Sequence, residues 1–169
     1  MRFLVVGGGS WGTAFAALLV EQGHSVELAC RDPLQVSAIN ATYRNPKYLS
    51  DADIKGLSAI HIDAVNLSGV DIIVFALPSR ALESVAMQLG GVTPALILTK
   101  GLDPSNGCRP SELVGDRPVA VLSGPNHAEE IIEGLPAAAV ISSSDTALAE
   151  CLQEKVHSKR FRVYLNDDL

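Results

Sequence analysis

The sequence predicts a doubly wound α/β fold, a mainly parallel sheet with helices on both faces and three layers in all. Three observations lead there. Short β-branched or aliphatic runs alternate with segments of helical periodicity along almost the whole chain, as repeated strand–helix–strand units do. Several runs are apolar at every position, Ile72-Ile73-Val74-Phe75-Ala76-Leu77 most clearly, as parallel strands covered on each face require. The first run, Phe3-Leu4-Val5-Val6, passes straight into Gly7-Gly8-Gly9-Ser10-Trp11-Gly12 and then into a helical stretch.

Taken in order, residues 3–6 are the first strand and 11–22 the first helix, with Gly23 as its stop. Residues 25–30 form the second strand. Pro33, pre-set for a first turn, starts the helix 33–41. The segment 42–57 is the least regular in the chain and is read as a surface excursion. Strands follow at 59–62 and 71–77, then a helix at 80–89 and a strand at 95–99. A short helix is read at 111–114 and a strand at 119–122. The helix 127–133 carries Glu129 and Glu130, which favour its positive start. Strand 137–142, helix 145–155 and strand 160–165 complete the pattern. Parallel neighbours joined this way take right-handed crossovers. No internal repeat, low-complexity tract or long linker interrupts the alternation. Asn166-Asp167-Asp168-Leu169 follows the last strand without a terminal helix, which reads as one domain, residues 1–169, cut from a longer protein.

Composition narrows the function classes. A chain of 169 residues can hold a full core, burying about 70% of its unfolded surface. An apolar fraction of 47% with 19% charged residues belongs to a folded protein. The net charge of −6 argues against broad nucleic-acid binding, which needs a basic face. It leaves an anionic ligand open, because a local pocket can be positive on an acidic protein. Cys30, Cys108 and Cys151 are odd in number and widely spaced, so neither a disulfide framework nor a metal site is expected. No segment approaches the length of a membrane helix, and the short N-terminal run lacks the apolar region of a signal peptide. The expectation is a cytoplasmic protein.

The chemistry is expected along the carboxyl ends of the strands. Residues 7–12 make a G-x-G-x-x-G turn between strand and helix, the Rossmann-type arrangement that holds a dinucleotide pyrophosphate. Gly7 allows the tight turn, Gly9 the close approach of phosphates, and Gly12 the packing of helix on strand. Cys30-Arg31-Asp32 follows the second strand. Asp32 has the spacing of a ribose-binding carboxylate, yet it also stands where it would cap the helix at Pro33. Arg31 is the better contact for adenosine or for a 2′-phosphate, so the cofactor is NAD(P), leaning to NADP. Pro78 stiffens the exit of the fourth strand beneath the nicotinamide end, and Ser79 is placed to cap the next helix. Lys100, at the end of a very apolar strand, needs an anion or solvent for its ammonium. In Ser123-Gly124-Pro125-Asn126-His127, Asn126 can cap the following helix and offer its amide to a ligand. His127 is a formal general acid whose place in the first turn favours a surface or packing role.

Together these segments resemble the bacterial-type NAD(P)-dependent glycerol-3-phosphate dehydrogenases. The matching stretches are Gly7-Gly8-Gly9-Ser10-Trp11-Gly12-Thr13-Ala14, Cys30-Arg31-Asp32-Pro33, Asn45-Pro46-Lys47-Tyr48-Leu49, Ala76-Leu77-Pro78-Ser79, Thr99-Lys100-Gly101-Leu102 and residues 122–130. Gly134-Leu135-Pro136 and Phe161-Arg162-Val163-Tyr164 continue the resemblance in order, so it covers essentially the whole chain.

The resemblance implies reversible hydride transfer between dihydroxyacetone phosphate and sn-glycerol 3-phosphate, a step that feeds phospholipid synthesis. It implies that Ser10, Trp11, Arg31, Tyr48 and Ala128 touch the cofactor. Lys100 would serve both cofactor and substrate, and Gly124 and Asn126 would line the substrate. Asn126 stands where many members have serine or threonine, and Leu49-Ser50 replaces a common leucine-proline. In the family an all-helical domain follows, bringing the catalytic lysine, so no catalytic residue is assigned within this chain. The expectation is a piece that binds the dinucleotide but turns over little or no substrate; a homodimer is one assembly the resemblance allows. Two other readings share the glycine turn. One is another two-domain dehydrogenase, such as a ketopantoate reductase or a 3-hydroxyacid dehydrogenase. The other is a non-catalytic NAD(P)-sensing module.

Overall fold

The computed structural model of the chain describes residues 1–168. Its strands are β1 (Arg2–Val6), β2 (Ser25–Cys30), β3 (Ser58–His61), β4 (Ile72–Phe75), β5 (Ala95–Ile97), β6 (Val119–Ser123), β7 (Ala137–Ser142) and β8 (Phe161–Asn166). The helices are α1 (Ser10–Glu21), α2 (Pro33–Thr42), α3 (Ser79–Leu89), α4 (Ala128–Ile132) and α5 (Thr146–Val156). The strands form one sheet in the order β3-β2-β1-β4-β5-β6-β7-β8. From β3 to β6 all pairs are parallel, β7 runs antiparallel to β6, and β8 is parallel to β7. The doubly wound α/β expectation is borne out. The strand order reverses between β1 and β4, so the crevice at their carboxyl ends is the switch point where such sheets take ligands.

The sheet is buried on both faces, which explains the unbroken apolar runs. Phe3 and Val5 of β1 enter one core with Phe15, Leu19, Leu28, Leu152 and Phe161. Leu4 and Val6 of the same strand enter the other, with Ile73, Phe75, Leu82, Leu113 and Val114. Each such side chain contributes about 1.5–3 kcal/mol when fully buried. Helix α1 is buried from Gly12 to Leu19, so it is apolar nearly all round, as a helix inside the layers must be. Phe15 of α1 meets the Phe161 ring edge-on, with centroids 6.3 Å apart, and so ties the first helix to the last strand.

Four readings change. The run 71–77 is a strand only over Ile72–Phe75; Ala76 still donates to Val6 O at 2.9 Å, but the chain then bends round the glycine turn. The helix read at 111–114 is a 3-10 turn, Pro110–Glu112. Gly115, at φ 76°, stops it, while Leu113 and Val114 plug the core beneath. A second 3-10 turn, Ile62–Ala64, is new. The segment 42–57 has no regular element after Thr42, yet it is more than a surface excursion, because Asn45, Ile54 and Leu57 are buried.

Candidate functional site

The glycine turn lies at the carboxyl end of β1, at the switch point. Gly7 sits at φ 119°, and a Cβ there would run into the Ala76 carbonyl oxygen. A Cβ on Gly12 would run into the Gly7 carbonyl oxygen. On Gly8 it would stand 2.5 Å from Cys30 Sγ and 3.0 Å from Gln35 Nε2. Gly9 differs: nothing lies within 4 Å of its Cβ position. Three glycines are therefore demanded by the protein's own packing, and Gly9 faces open space. Gly9 is the N-cap of α1, and no side chain caps that helix. The first bond of the turn is Thr13 N to Gly9 O, at 2.9 Å. The amides of Ser10, Trp11 and Gly12 precede it, so they have no intrahelical acceptor and can meet an anion.

A buried polar cluster holds this turn in place. Gln35 Nε2 donates to Gly8 O at 2.6 Å and to Asn45 Oδ1 at 2.9 Å. Asn45 Nδ2 donates to the same carbonyl at 3.1 Å and to Thr13 Oγ1 at 2.8 Å. The amide of Lys47 donates back to Asn45 Oδ1 at 3.2 Å. Sequence reasoning did not single out Gln35. It had Thr13 and Asn45 only within resembling stretches. Their partners lie up to 37 residues away, beyond any local pattern.

After β2, Arg31 is exposed, and its carbonyl accepts from His61 Nε2 at 2.9 Å. Asp32 caps α2: its Oδ1 accepts from the Leu34 amide at 2.9 Å. Its Oδ2 pairs with Lys47 Nζ at 2.5 Å. The Lys47 hydrogen bond, then the Leu34 amide, holds the Asp32 carboxyl below the usual carboxylate range, and Asp32 in turn raises the Lys47 ammonium. Cys30 is buried under Gly8; burial, reinforced by the Asp32 charge, pushes its thiol up to about 11. Tyr48, next along, is exposed.

The other end of the crevice is built differently. Pro78 is the N-cap of α3 and Ser79 its first residue, so Ser79 is inside the helix and does not cap it. Trp11 is half-buried, its ring 5.8 Å from that of Phe15. Lys100 is exposed, and its Nζ donates to Gly124 O at 3.3 Å. Two residues singled out separately in the sequence are thus brought together. Gly124 has no room for a side chain: a Cβ would stand 2.6 Å from Asn126 Nδ2 and 2.8 Å from Ala138 O. Asn126 does not cap α4, whose N-cap is His127. Its Nδ2 and Oδ1 are both buried, with no hydrogen-bond partner among the described residues. His127 is exposed and makes no capping bond, while Ala128 is buried.

Two surface crevices lie elsewhere and include neither the glycine turn nor Lys100. One, of about 200 Å³, is bounded by Leu18, Gln22, Leu135 and Phe161. The other, of about 450 Å³, lies between residues 49–52 and α4. Among the described residues no group of three or more His, Cys, Asp or Glu side chains is placed to hold a metal ion. No helix among them is long and apolar enough to cross a membrane.

With this geometry in place, the match to known proteins is decisive. The family model of the NAD-dependent glycerol-3-phosphate dehydrogenase N-terminus fits residues 3–157. The chain belongs to this glycerol-3-phosphate dehydrogenase family. A glycerol-3-phosphate dehydrogenase [NAD(P)+] of Nocardia farcinica is 38% identical over 186 residues, covering 99% of this chain and 54% of that protein. One from Sphingopyxis alaskensis is 40% identical over 174 residues, covering 98% and 52%. The crystal structure of the glycerol-3-phosphate dehydrogenase from Coxiella burnetii superposes with a TM-score of 0.90 at 33% identity, covering 99% of this chain and 54% of that one. The chain therefore spans about half the length of the dehydrogenases it matches, and it corresponds to their N-terminal, cofactor-binding part.

Proposed function

We propose that the chain is the dinucleotide-binding half of an NAD(P)-dependent glycerol-3-phosphate dehydrogenase, interconverting dihydroxyacetone phosphate and sn-glycerol 3-phosphate once completed by a helical domain. The observation that carries the reading is Gly9, the one glycine of the turn with open space where its side chain would be, set among unpaired amides at the start of α1. That is the fit a pyrophosphate needs. On this reading Gly7 and Gly12 shape the turn, and Ser10 and Trp11 lie against the cofactor. Arg31 and Tyr48 hold the adenosine side, with Pro78 and Ala128 flanking the nicotinamide side. Lys100 faces both molecules, and Gly124 and Asn126 receive the substrate, whose phosphate or hydroxyls supply the bonds the Asn126 amide lacks. The bound nicotinamide supplies the hydride. The residues here bind and orient, while proton transfer at the carbonyl is left to a lysine outside the chain. The family match does not favour a ketopantoate reductase, a 3-hydroxyacid dehydrogenase or a sensing module.

Titration of the 169-residue chain with NADPH and NADH tests the reading. Saturable binding is expected. Gly9→Thr should keep stability within about 0.5 kcal/mol, since threonine caps a helix about as well as glycine, yet lose binding more than tenfold. A folded chain that binds neither nucleotide overturns the proposal. Rapid turnover of dihydroxyacetone phosphate by these residues alone would overturn the claim that the chemistry needs the remainder. We lean to NADP on the strength of Arg31. Arg31→Ala should weaken NADPH by about 1–3 kcal/mol and NADH by less; equal losses would assign Arg31 to stacking on adenine.

A further inference from the structure

At the carboxyl end of β2 three charges meet: Arg31, Asp32 and Lys47. A carboxylate in this position of a dinucleotide fold ordinarily accepts a hydrogen bond from the ribose 2′-hydroxyl and repels a 2′-phosphate. Here that carboxylate is engaged on both oxygens, by the Leu34 amide at 2.9 Å and by Lys47 Nζ at 2.5 Å. The lysine is not free to wander off. Its own amide is tied to Asn45 Oδ1, and Asn45 is locked to the glycine turn through Gly8 O and Thr13. Lys47 also remains accessible: its side chain is 55% exposed against 27% for Asp32, so the ammonium has a face left for a second anion. Arg31 is near enough to oppose its charge, which leaves two neighbouring cations and one anion, a local excess of positive charge.

We propose that Lys47 determines cofactor specificity: it withdraws Asp32 from the ribose 2′-hydroxyl and, with Arg31, seats the 2′-phosphate of NADP. The inference rests on the dinucleotide-binding reading above. A dianionic phosphate between an ammonium and a guanidinium makes charge-assisted bonds, about twice as strong as neutral ones.

Calorimetric titrations of NADPH, NADH, adenosine 2′,5′-bisphosphate and AMP into the 169-residue chain test it, with Lys47→Met, Asp32→Asn and the double variant alongside. Lys47→Met should weaken NADPH and adenosine 2′,5′-bisphosphate at least tenfold, while NADH and AMP change less than threefold. Asp32→Asn keeps a good capping residue and should leave NADPH within threefold. In the Lys47→Met background, Asp32→Asn should recover part of the NADPH loss, because the released carboxylate is gone. Equal weakening of phosphorylated and unphosphorylated ligands by Lys47→Met overturns the proposal, as does no weakening of either. Those results leave the dinucleotide reading standing, whereas a wild-type chain that binds none of the four ligands overturns both. Melting curves of each variant identify any that fail to fold, and for these Lys47→Gln carries the same comparison.

Discussion

The two ends of the ligand crevice are finished to different degrees. At the β2 end Asp32, Gln35 and Asn45 all have partners within the chain. Asp32 is capped and paired, Asn45 bonds through both amide atoms, and Gly8 O accepts from two side chains. At the β6 end Lys100 rests on a single carbonyl at 3.3 Å, and both polar atoms of Asn126 are buried and unpaired. A buried unpaired amide is destabilising by about 1–3 kcal/mol, so folding alone gives no reason to keep it. The contrast agrees with the proposed reading, in which the β2 end holds the dinucleotide and the β6 end meets the substrate.

The glycine turn allows the hardest test of the finished end. Gly12→Ala drives a methyl into the Gly7 carbonyl, backbone against backbone, with neither able to yield. We expect a loss of about 3 kcal/mol or more in urea denaturation, together with dinucleotide binding. Unchanged stability would mean that the turn is less tightly built than its geometry implies.

Next in size is a paired comparison of two asparagines. Asn45→Ala removes bonds to Gly8 O, Thr13 and Gln35 at a fully buried site, and should cost about 2–3 kcal/mol. Asn126→Ala removes no bond among the described residues, so stability should stay within about 0.5 kcal/mol or rise. Equal losses at the two positions, read from denaturation midpoints, would erase the distinction between the ends.

Much of this was legible before the structure. Eight strand segments fell within a few residues of the observed ones because doubly covered strands are apolar throughout. Asp32 showed itself as a cap through its place before Pro33. The antiparallel β7 was not legible. Its cause is α4: five residues of helix rise only about 7 Å, too little to carry the chain back along a strand of about 17 Å, so β7 returns reversed beside β6. The clamp of Gln35 and Asn45 was equally hidden. So was Arg117, a buried arginine over the Phe75 ring that donates to Val114 O and, at the end of α3, to Gly90 O. Most of these bonds reach groups far along the chain, which composition and periodicity do not report.

The smallest effect expected is on pH dependence, and it sharpens the same comparison. Asp32 has its folded pKa lowered from 3.8, so its contribution is present above that value and disappears as pH falls through the lower, folded value. Lys47 has its folded pKa raised from 10.5; its contribution is complete below 10.5 and disappears above. Cys30, raised from 9.0 to about 11, loses its share across that interval as the unfolded chain ionises first. The Asp32–Lys47 pair is exposed, so each step is small and screened by salt. Denaturation midpoints of wild type and Asp32→Asn should therefore differ at pH 6, and the gap should shrink as pH falls below 3.8, with a smaller gap in high salt. At the β6 end the paired groups, Lys100 Nζ and Gly124 O, include no carboxylate, so Lys100→Met and wild type should keep a constant difference across the same acid range. A gap for Asp32→Asn that persists unchanged to pH 3 would show that the ion pair adds nothing to folding. The β2 end would then owe its order to the Asn45 cluster and the α2 cap alone.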